Sequence, residues 1–446
     1  MKAVGRNLKA VREESYNAWK MGGVPYPVMS RKEEFEYCRG KYPQIPKTML
    51  LKDHAVSIGV QFTDLAWRKF DGMTQCKQRR AAIFQKDKMG VASDLALPLD
   101  FLFSDGTTVL VCIAPDERDP YIIDYIDGRF WLTADGDVYE EVHFPLKPQY
   151  YGKKTSKGAF MDHVGLVTNV RNIHIIPFHH CHFFTEGVQC RFCDMDYCTR
   201  LKLKLGTVGT FNVRINVEDT YEMMYEALKE EGRYKHCFLT GGSDPRADFQ
   251  EEFDFHLALI KAVTRAAQDH GADGFSTWPI MSPVRKDQMK QLQDAGAVGF
   301  GTFFEIWGKE KWERMCPGKA KYLGWDEWIK RTLDAVEVFG KGNVHCSFVA
   351  GTELMYGYND MEEAVADTLA GHEFLLQNGC SLGDTILTIE PGTDLYNTGQ
   401  TEPPLEFYCM LDLGRTELIR KYGIIGKMCW YDTMPYSLNA DITRLL

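Results

Sequence analysis

From residue 171 onward, short apolar runs alternate with stretches of helical period. The runs are Asn172-Ile-His-Ile-Ile-Pro-Phe, His236-Cys-Phe-Leu-Thr, Gly274-Phe-Ser-Thr-Trp, Ala297-Val-Gly-Phe-Gly-Thr-Phe-Phe-Glu, Asn343-Val-His-Cys-Ser-Phe-Val and Thr385-Ile-Leu-Thr-Ile. Between them lie amphipathic segments at Glu218–Glu231, Glu251–His270, Val284–Ala295, Trp325–Phe339 and Asp360–Gln377. Strand alternating with helix predicts βαβ units, a parallel sheet and right-handed crossovers. Six units are fewer than a closed eight-unit barrel needs, so the pattern predicts a partial (βα)6 TIM-type barrel or an open sheet. The first 160 residues read differently. A helix is predicted from Asn7 to Lys20, then strand-like runs (Thr108-Val-Leu-Val-Cys-Ile, Tyr121-Ile-Ile-Asp-Tyr, Phe130-Trp-Leu) between turns such as Asp127-Gly and Asp135-Gly-Asp. The division is therefore an N-terminal α+β accessory domain at 1–160, a barrel at 161–396, and a C-terminal extension at 397–446. That extension carries a predicted helix at Leu411–Lys421 and is expected to close the barrel's open side.

Composition narrows the function. Hydrophobic residues are 44% and charged residues 26% of the 446, an ordinary globular balance that excludes wholesale disorder. The 62 acidic against 52 basic side chains argue against a nucleic-acid partner. No run of eighteen apolar residues and no secretory signal pattern is present, so a soluble cytoplasmic protein without membrane contact is expected. The thirteen cysteines, an odd count, speak for metal or thiol chemistry rather than a disulfide framework.

Four of those cysteines crowd together: His179-His-Cys-His-Phe-Phe-Thr-Glu-Gly-Val-Gln-Cys-Arg-Phe-Cys-Asp-Met-Asp-Tyr-Cys198. Cys190-x-x-Cys193 puts two thiolates on one tight turn, a bite suited to iron or zinc. Cys181 follows the first predicted strand, which places the cluster in the first βα loop, where βα folds build their sites. Three cysteines on an iron–sulfur cluster leave one iron open to an outside ligand. Structural zinc, completed by His179, His180, His182 or Cys198, is the competing reading, and the cluster alone leaves both open. The next predicted strand ends in Thr240-Gly241-Gly242-Ser243, a glycine pair that lets backbone come close to a ligand.

Together these motifs resemble the radical S-adenosylmethionine superfamily, over roughly residues 145–396. The resemblance implies that Cys181, Cys190 and Cys193 hold a [4Fe–4S] cluster, that Phe192 is the aromatic residue before the last ligand, and that Thr240, Gly241, Gly242 and Ser243 meet the cofactor's methionine. The usual spacing is three residues then two; here it is eight then two. Cys190, Cys193 and Cys198 form a second triad, spaced two then four as in the thiamine pyrimidine synthase branch, but that branch carries its cysteines near the chain's end. Phe303-Phe-Glu-Ile-Trp, Cys316-Pro-Gly-Lys and the run from Phe339 to Glu353 look like the biotin-synthase-like branch, which includes maturases for hydrogenase cofactors.

Strand alternation gives each strand one inward set. Gly299, Gly301, Phe303 and Glu305 share a face on the fourth strand, His345 and Ser347 on the fifth, Thr388 and Glu390 on the sixth. Glu305, at a strand end, is the candidate for the cofactor's ribose or amino group, with Ser347 beside it. For Glu390 a solvated strand-end carboxylate is an equal reading. The resemblance thus implies reductive cleavage of S-adenosylmethionine and hydrogen abstraction from a small-molecule substrate, with electrons from a donor such as flavodoxin or ferredoxin. Two rivals stand beside it: a zinc-stabilised binding or scaffold protein, and a zinc hydrolase on a βα barrel built from Glu305, His345 and Glu390.

Overall fold

The computed structural model describes residues 18–69, 98–168, 170–204, 214–272, 274–356, 358–426, 438 and 444–446, with backbone alone at 76–77, 96–97, 198, 201–204 and 356. The helix expected at Asn7–Lys20 lies almost wholly outside the described residues. A seven-stranded sheet forms the core of the second half. Its strands run in sequence order: β1 (Gly165–Thr168), β2 (Asn172–Ile175), β3 (His236–Thr240), β4 (Ser276–Ile280), β5 (Phe300–Glu305), β6 (Val344–Ala350) and β7 (Ser381–Ile386). β2 to β7 are parallel, and β1 adds an antiparallel edge that the sequence pattern did not announce. Helices follow β2 to β7 in turn: α1 (Val217–Leu228), α2 (Arg246–His270), α3 (Lys286–Asp294), α4 (Trp325–Phe339), α5 (Met361–Gln377) and α6 (Leu405–Tyr422). Six parallel strands with six helices make the partial (βα)6 barrel.

The two faces of the sheet are chemically distinct. Phe300 stacks on Phe339 of α4 and Phe304 meets Trp325 edge-on, so this row faces the helices. Phe348 continues the row and meets His372 of α5. The opposite row faces the barrel interior. There His174 stacks on Phe238 with ring centroids 4.5 Å apart, and Gly299 and Gly301 make room for Trp278 and Ile280. His345 and Ser347 lie in the same row, in register with Gly301 and Phe303.

The sixth parallel strand departs from expectation. It spans Ser381–Ile386 and not Thr385–Ile389, because its register against β6 is set by pairs from His345–Ser381 to Ala350–Ile386. The polar Asp384 obscures this in the sequence. It is buried against His372 of α5, 3.0 Å away, and Arg415 of α6, 2.8 Å away. Thr388 and Glu390 therefore stand beyond the strand. Glu390 is 7% exposed and accepts from Thr388 Oγ1 at 3.3 Å, so it is not a solvated carboxylate.

The N-terminal part holds a six-stranded sheet in which Tyr121–Ile126, Arg129–Ala134 and Asp137–His143 form a meander. Its turns carry Asp127 and Asp135 at φ 49° and 52°, each followed by a glycine in the same region, as the Asp-Gly pairs predict. Helix Arg31–Lys41 packs on helix Lys47–Ile58, both rest on α6, and Lys47–Ile58 also lies against β7. Glu34 accepts from the Leu405 amide at 2.8 Å, and Tyr42 donates to Glu406 at 2.8 Å. Arg118 pairs with Glu402, which also caps the Ile389 amide. The N-terminal helices thus pack with α6, and Lys47–Ile58 covers the β7 edge of the sheet. Among the described residues no helix is long and apolar enough to cross a membrane.

Candidate functional site

The cysteine segment leaves β2 and lies directly on the segment that leaves β3. Two hydrogen bonds lace them: Gly242 donates to the Phe178 carbonyl at 3.0 Å, and His182 donates to the Ser243 carbonyl at 2.9 Å. The glycines explain how they come so close. A Cβ on Gly242 would stand 2.2 Å from the His180 oxygen and 2.8 Å from the Cys181 Cα; one on Gly241 would stand 2.9 Å from the Phe178 oxygen. Thr240-Gly-Gly-Ser therefore serves as the seat on which the backbone before Cys181 rests. Ser243 turns its hydroxyl toward Ser282, 3.1 Å away. Below them the buried Glu252 accepts from the Asp244 and Ser282 amides, both at 2.9 Å, tying the ends of β3 and β4 together. Burial pushes its carboxyl up to about 7. Pro245 is followed by three left-handed residues, Ala247, Asp248 and Phe249, before α2 becomes regular.

The eight-residue spacing between Cys181 and Cys190 also has a structural reason. A single helical turn, His182–Thr185, docks on helix Pro317–Tyr322 after β5. Phe183 is 2% exposed and stacks on Tyr322, while Gly318 leaves space for the Phe183 ring and the Val188 carbonyl. Lys321 anchors Glu186 at 2.6 Å. The Cys190–Cys193 turn then closes with the Cys193 amide on the Cys190 carbonyl, 3.0 Å. Arg191 spans the mouth of the barrel: its amide donates to Met315, its carbonyl accepts from Leu395, and its guanidinium pairs with Asp394 at 2.7 Å. Phe192 packs against the core.

Cys181, Cys190 and Cys193 are thereby brought together: Cys190 influences the ionisation of Cys181, and both influence that of Cys193. None is in a disulfide. Although the residues are partly exposed, the thiols sit deep: burial raises Cys181 to about 12 and raises Cys193 as well. Cys190 moves the other way. A hydrogen bond from the Cys316 thiol lowers it, against burial, with help from the Lys319 ammonium. Soft, buried thiols in one pocket suit an iron–sulfur cluster, in which each thiolate binds a different iron. Among the described residues no three His, Cys, Asp or Glu side chains gather closely enough to hold a single metal ion, so neither the three cysteines nor Glu305, His345 and Glu390 form a one-zinc site. The Cys198 side chain lies outside the described residues.

The neighbouring histidines brace their own loop. His180 contacts Thr185 at 3.0 Å, His182 lies 3.5 Å from Glu186, and the His179 carbonyl accepts from Thr199. The Glu305 carboxylate acts electrostatically on Cys190 and Cys316. A β-bulge between Phe303 and Glu305, and a φ of 70° at Glu305, re-aim its carboxylate onto Lys319, 2.6 Å away. Sequence reasoning assigned Glu305 to the site and overlooked Lys319, Cys316 and Glu252. The run Cys316-Pro-Gly-Lys was the available signal, since it looks like a branch motif. Ser347 is fully buried in the inward row, its hydroxyl without a hydrogen-bond partner among the described residues, at the level of Phe303. Burial drives His345 down to about 3, so it is neutral at physiological pH.

Fold and site together define a partial (βα)6 barrel whose mouth is closed by a thiol-bearing loop. No sequence family profile and no curated relative matches the chain. Solved structures with a similar path include methylornithine synthase, 16% identical over 57% of this chain and 66% of that one, TM-score 0.39. HydG, a maturase of the [FeFe]-hydrogenase, is 16% identical over 57% of this chain and 51% of that one, TM-score 0.41. A radical SAM methyltransferase from Sphaerobacter thermophilus is 12% identical over 90% and 93%, TM-score 0.38. This chain thus spans about two thirds of the synthase and half of the maturase. Likenesses this faint assign no activity.

Proposed function

We propose that this chain is a radical S-adenosylmethionine enzyme acting on a small molecule, with Cys181, Cys190 and Cys193 as ligands of a [4Fe–4S] cluster. The observation that carries the reading is the convergence of three buried, unpaired thiols at the carboxyl end of the barrel, on a loop seated on Gly241 and Gly242. When bound and reduced, cluster and S-adenosylmethionine supply a 5′-deoxyadenosyl radical that takes hydrogen from an unactivated carbon. The protein's own part is position and exclusion. The loop from Cys181 to Cys193 is pinned at three strand ends, so the thiols keep their spacing. Phe192 and the Arg191–Asp394 bridge narrow the mouth and keep water out. Glu305 and the Thr240–Ser243 backbone offer acceptors and donors for the polar groups of S-adenosylmethionine, and Ser347 offers a hydroxyl from the barrel wall. Electrons come from a small redox protein such as flavodoxin or ferredoxin.

Anaerobic reconstitution with iron and sulfide tests the reading. A brown protein that forms 5′-deoxyadenosine from S-adenosylmethionine supports it. A colourless protein with one zinc per chain shows instead a zinc-stapled binding protein. Alanine at Cys181, Cys190 or Cys193 is expected to abolish iron retention, and alanine at Cys198 to leave most of it. The reverse result for Cys181 and Cys198 moves the ligand set downstream.

A further inference from the structure

One cation is buried at the thiol site, and the functional reading gives it no task. Lys319 is 6% exposed, at the start of the helix Pro317–Tyr322 that receives the cysteine loop. Its ammonium donates to the Phe303 carbonyl at 2.8 Å and to Glu305 Oε1 at 2.6 Å, and it sits over the Trp328 ring at 4.9 Å. The Arg191 amide donates to the Met315 carbonyl at 3.0 Å, which sets Cys316 beside Cys190; the two thiols share a hydrogen bond, and the Lys319 ammonium acts on both. Burial alone would favour a neutral amine, but the Glu305 carboxylate keeps it charged. A positive charge and an S–H donor are thus both directed at Cys190, one of the three proposed thiol ligands.

We infer that Lys319 and Cys316 form a built-in electrostatic setting for the metal centre, making it easier to reduce, with Glu305 as the counter-charge that limits the effect. This rests on the proposed [4Fe–4S] assignment. Charge near the cluster and hydrogen bonds to its sulfurs are two of the means by which a protein sets such a potential. Reduction adds one electron to the cluster and puts negative charge on its thiolate shell. A nearby ammonium stabilises that reduced form, and a thiol donor withdraws charge from the sulfur. Lys319 is in this sense a positioning and tuning residue, not a catalytic one.

The test is a redox titration of the reconstituted full-length protein with dithionite, followed by electron paramagnetic resonance and run without S-adenosylmethionine. Lys319→Met is expected to lower the reduction equilibrium by at least about tenfold, which is about 59 mV for a one-electron couple. Cys316→Ala moves it the same way by less, Lys319→Arg leaves it near the wild type, and Glu305→Gln shifts it in the opposite direction. Opposite shifts from Lys319→Met and Glu305→Gln are what a charge effect requires, because damage to packing moves both together. If Lys319→Met fails to take up iron, Glu305→Gln and Lys319→Arg decide alone. An unchanged potential in Lys319→Met, or shifts of one sign in both variants, overturns the inference. So does an unchanged potential with weakened S-adenosylmethionine binding, which makes Lys319 a cofactor anchor. A wild-type protein that takes up no cluster overturns the functional reading itself, and this inference with it.

Discussion

Replacing Gly242 with alanine asks whether the seat beneath the cysteine loop governs metal loading. The added methyl would stand 2.2 Å from the His180 oxygen, 2.6 Å from its carbonyl carbon and 2.8 Å from the Cys181 Cα, all backbone atoms with no rotamer to change. Such contacts are essentially never seen below 3.0 Å, so the loop must retreat by about 0.8 Å or more at the residue before Cys181. Overpacking of this kind costs about 2 kcal/mol. Taken up by the docking of the loop alone, that makes the seated arrangement about thirtyfold less favourable. The two lacing bonds, Gly242 to Phe178 and His182 to Ser243, weaken with it. The expected result is a folded protein with an unchanged circular dichroism spectrum that retains a small fraction of wild-type iron after reconstitution and desalting. Gly241→Ala, facing the Phe178 oxygen at 2.9 Å, is expected to show a milder loss. Gly40→Ala, in a helix and with no atom within 4 Å of the added methyl, is the control and should be neutral or slightly stabilising. Wild-type iron in Gly242→Ala would refute the reasoning, because it would show that the loop carries the thiols without resting on this glycine.

Three further outcomes follow from the packing. Gly318→Val forces its side chain into the Phe183 ring and the Val188 carbonyl, 2.6 and 2.7 Å from the position of its Cβ, and limited proteolysis should then cut the 182–189 segment faster than in wild type. Arg415→Leu leaves Asp384 and Asp412 buried without their cation, and the loss, read from the urea midpoint, is expected to be about 3–5 kcal/mol. Glu353 is buried, accepts from the Gly351 amide and Thr368, and is raised by burial to about 7 from 4.5. The folded state thus holds a proton that the unfolded chain releases near 4.5. This contribution is fully present below pH 4.5 and is lost as pH rises through 7, up to about 3 kcal/mol. Glu353→Gln should flatten the fall in melting temperature between pH 5 and 8, and an unaltered slope would show that Glu353 does not titrate there.

The barrel was legible because a buried parallel strand reads as an apolar run and its helices keep a 3.6-residue period; Trp325–Phe339 appears with the predicted bounds. β7 was displaced because Asp384 and the serine and glycine before it break the apolar run, and only the partners on α5 and α6 make that carboxylate a core residue. The thiols of the proposed site stand out in the sequence by their spacing, since Cys-x-x-Cys is a local property. The reason for eight residues before it was not, because Gly318, Tyr322 and Lys321 lie more than a hundred residues downstream. Glu305 was placed by alternation, yet the bulge and positive φ that aim it leave no mark in Phe303-Phe-Glu. Nothing local to Cys316-Pro-Gly-Lys says that Lys319 is buried.

The bond between Glu34 and the Leu405 amide joins residues 371 positions apart, and the helix Lys47–Ile58, which packs on both of the helices that carry them, lies against the last barrel strand. For a chain made from its N-terminus, the helix Lys47–Ile58 is therefore complete long before β7 emerges, whereas α6 comes after it. Contacts of such sequence separation close late and slowly. During synthesis the N-terminal helices act as a ready-made wall against which the unfinished barrel can shelter its last strand, until Arg415 arrives to neutralise Asp384. A chain shortened to 161–396 would lack both the wall and the cation. It would present an open sheet edge with a buried carboxylate beside it, a species suited to pairing with its own copies.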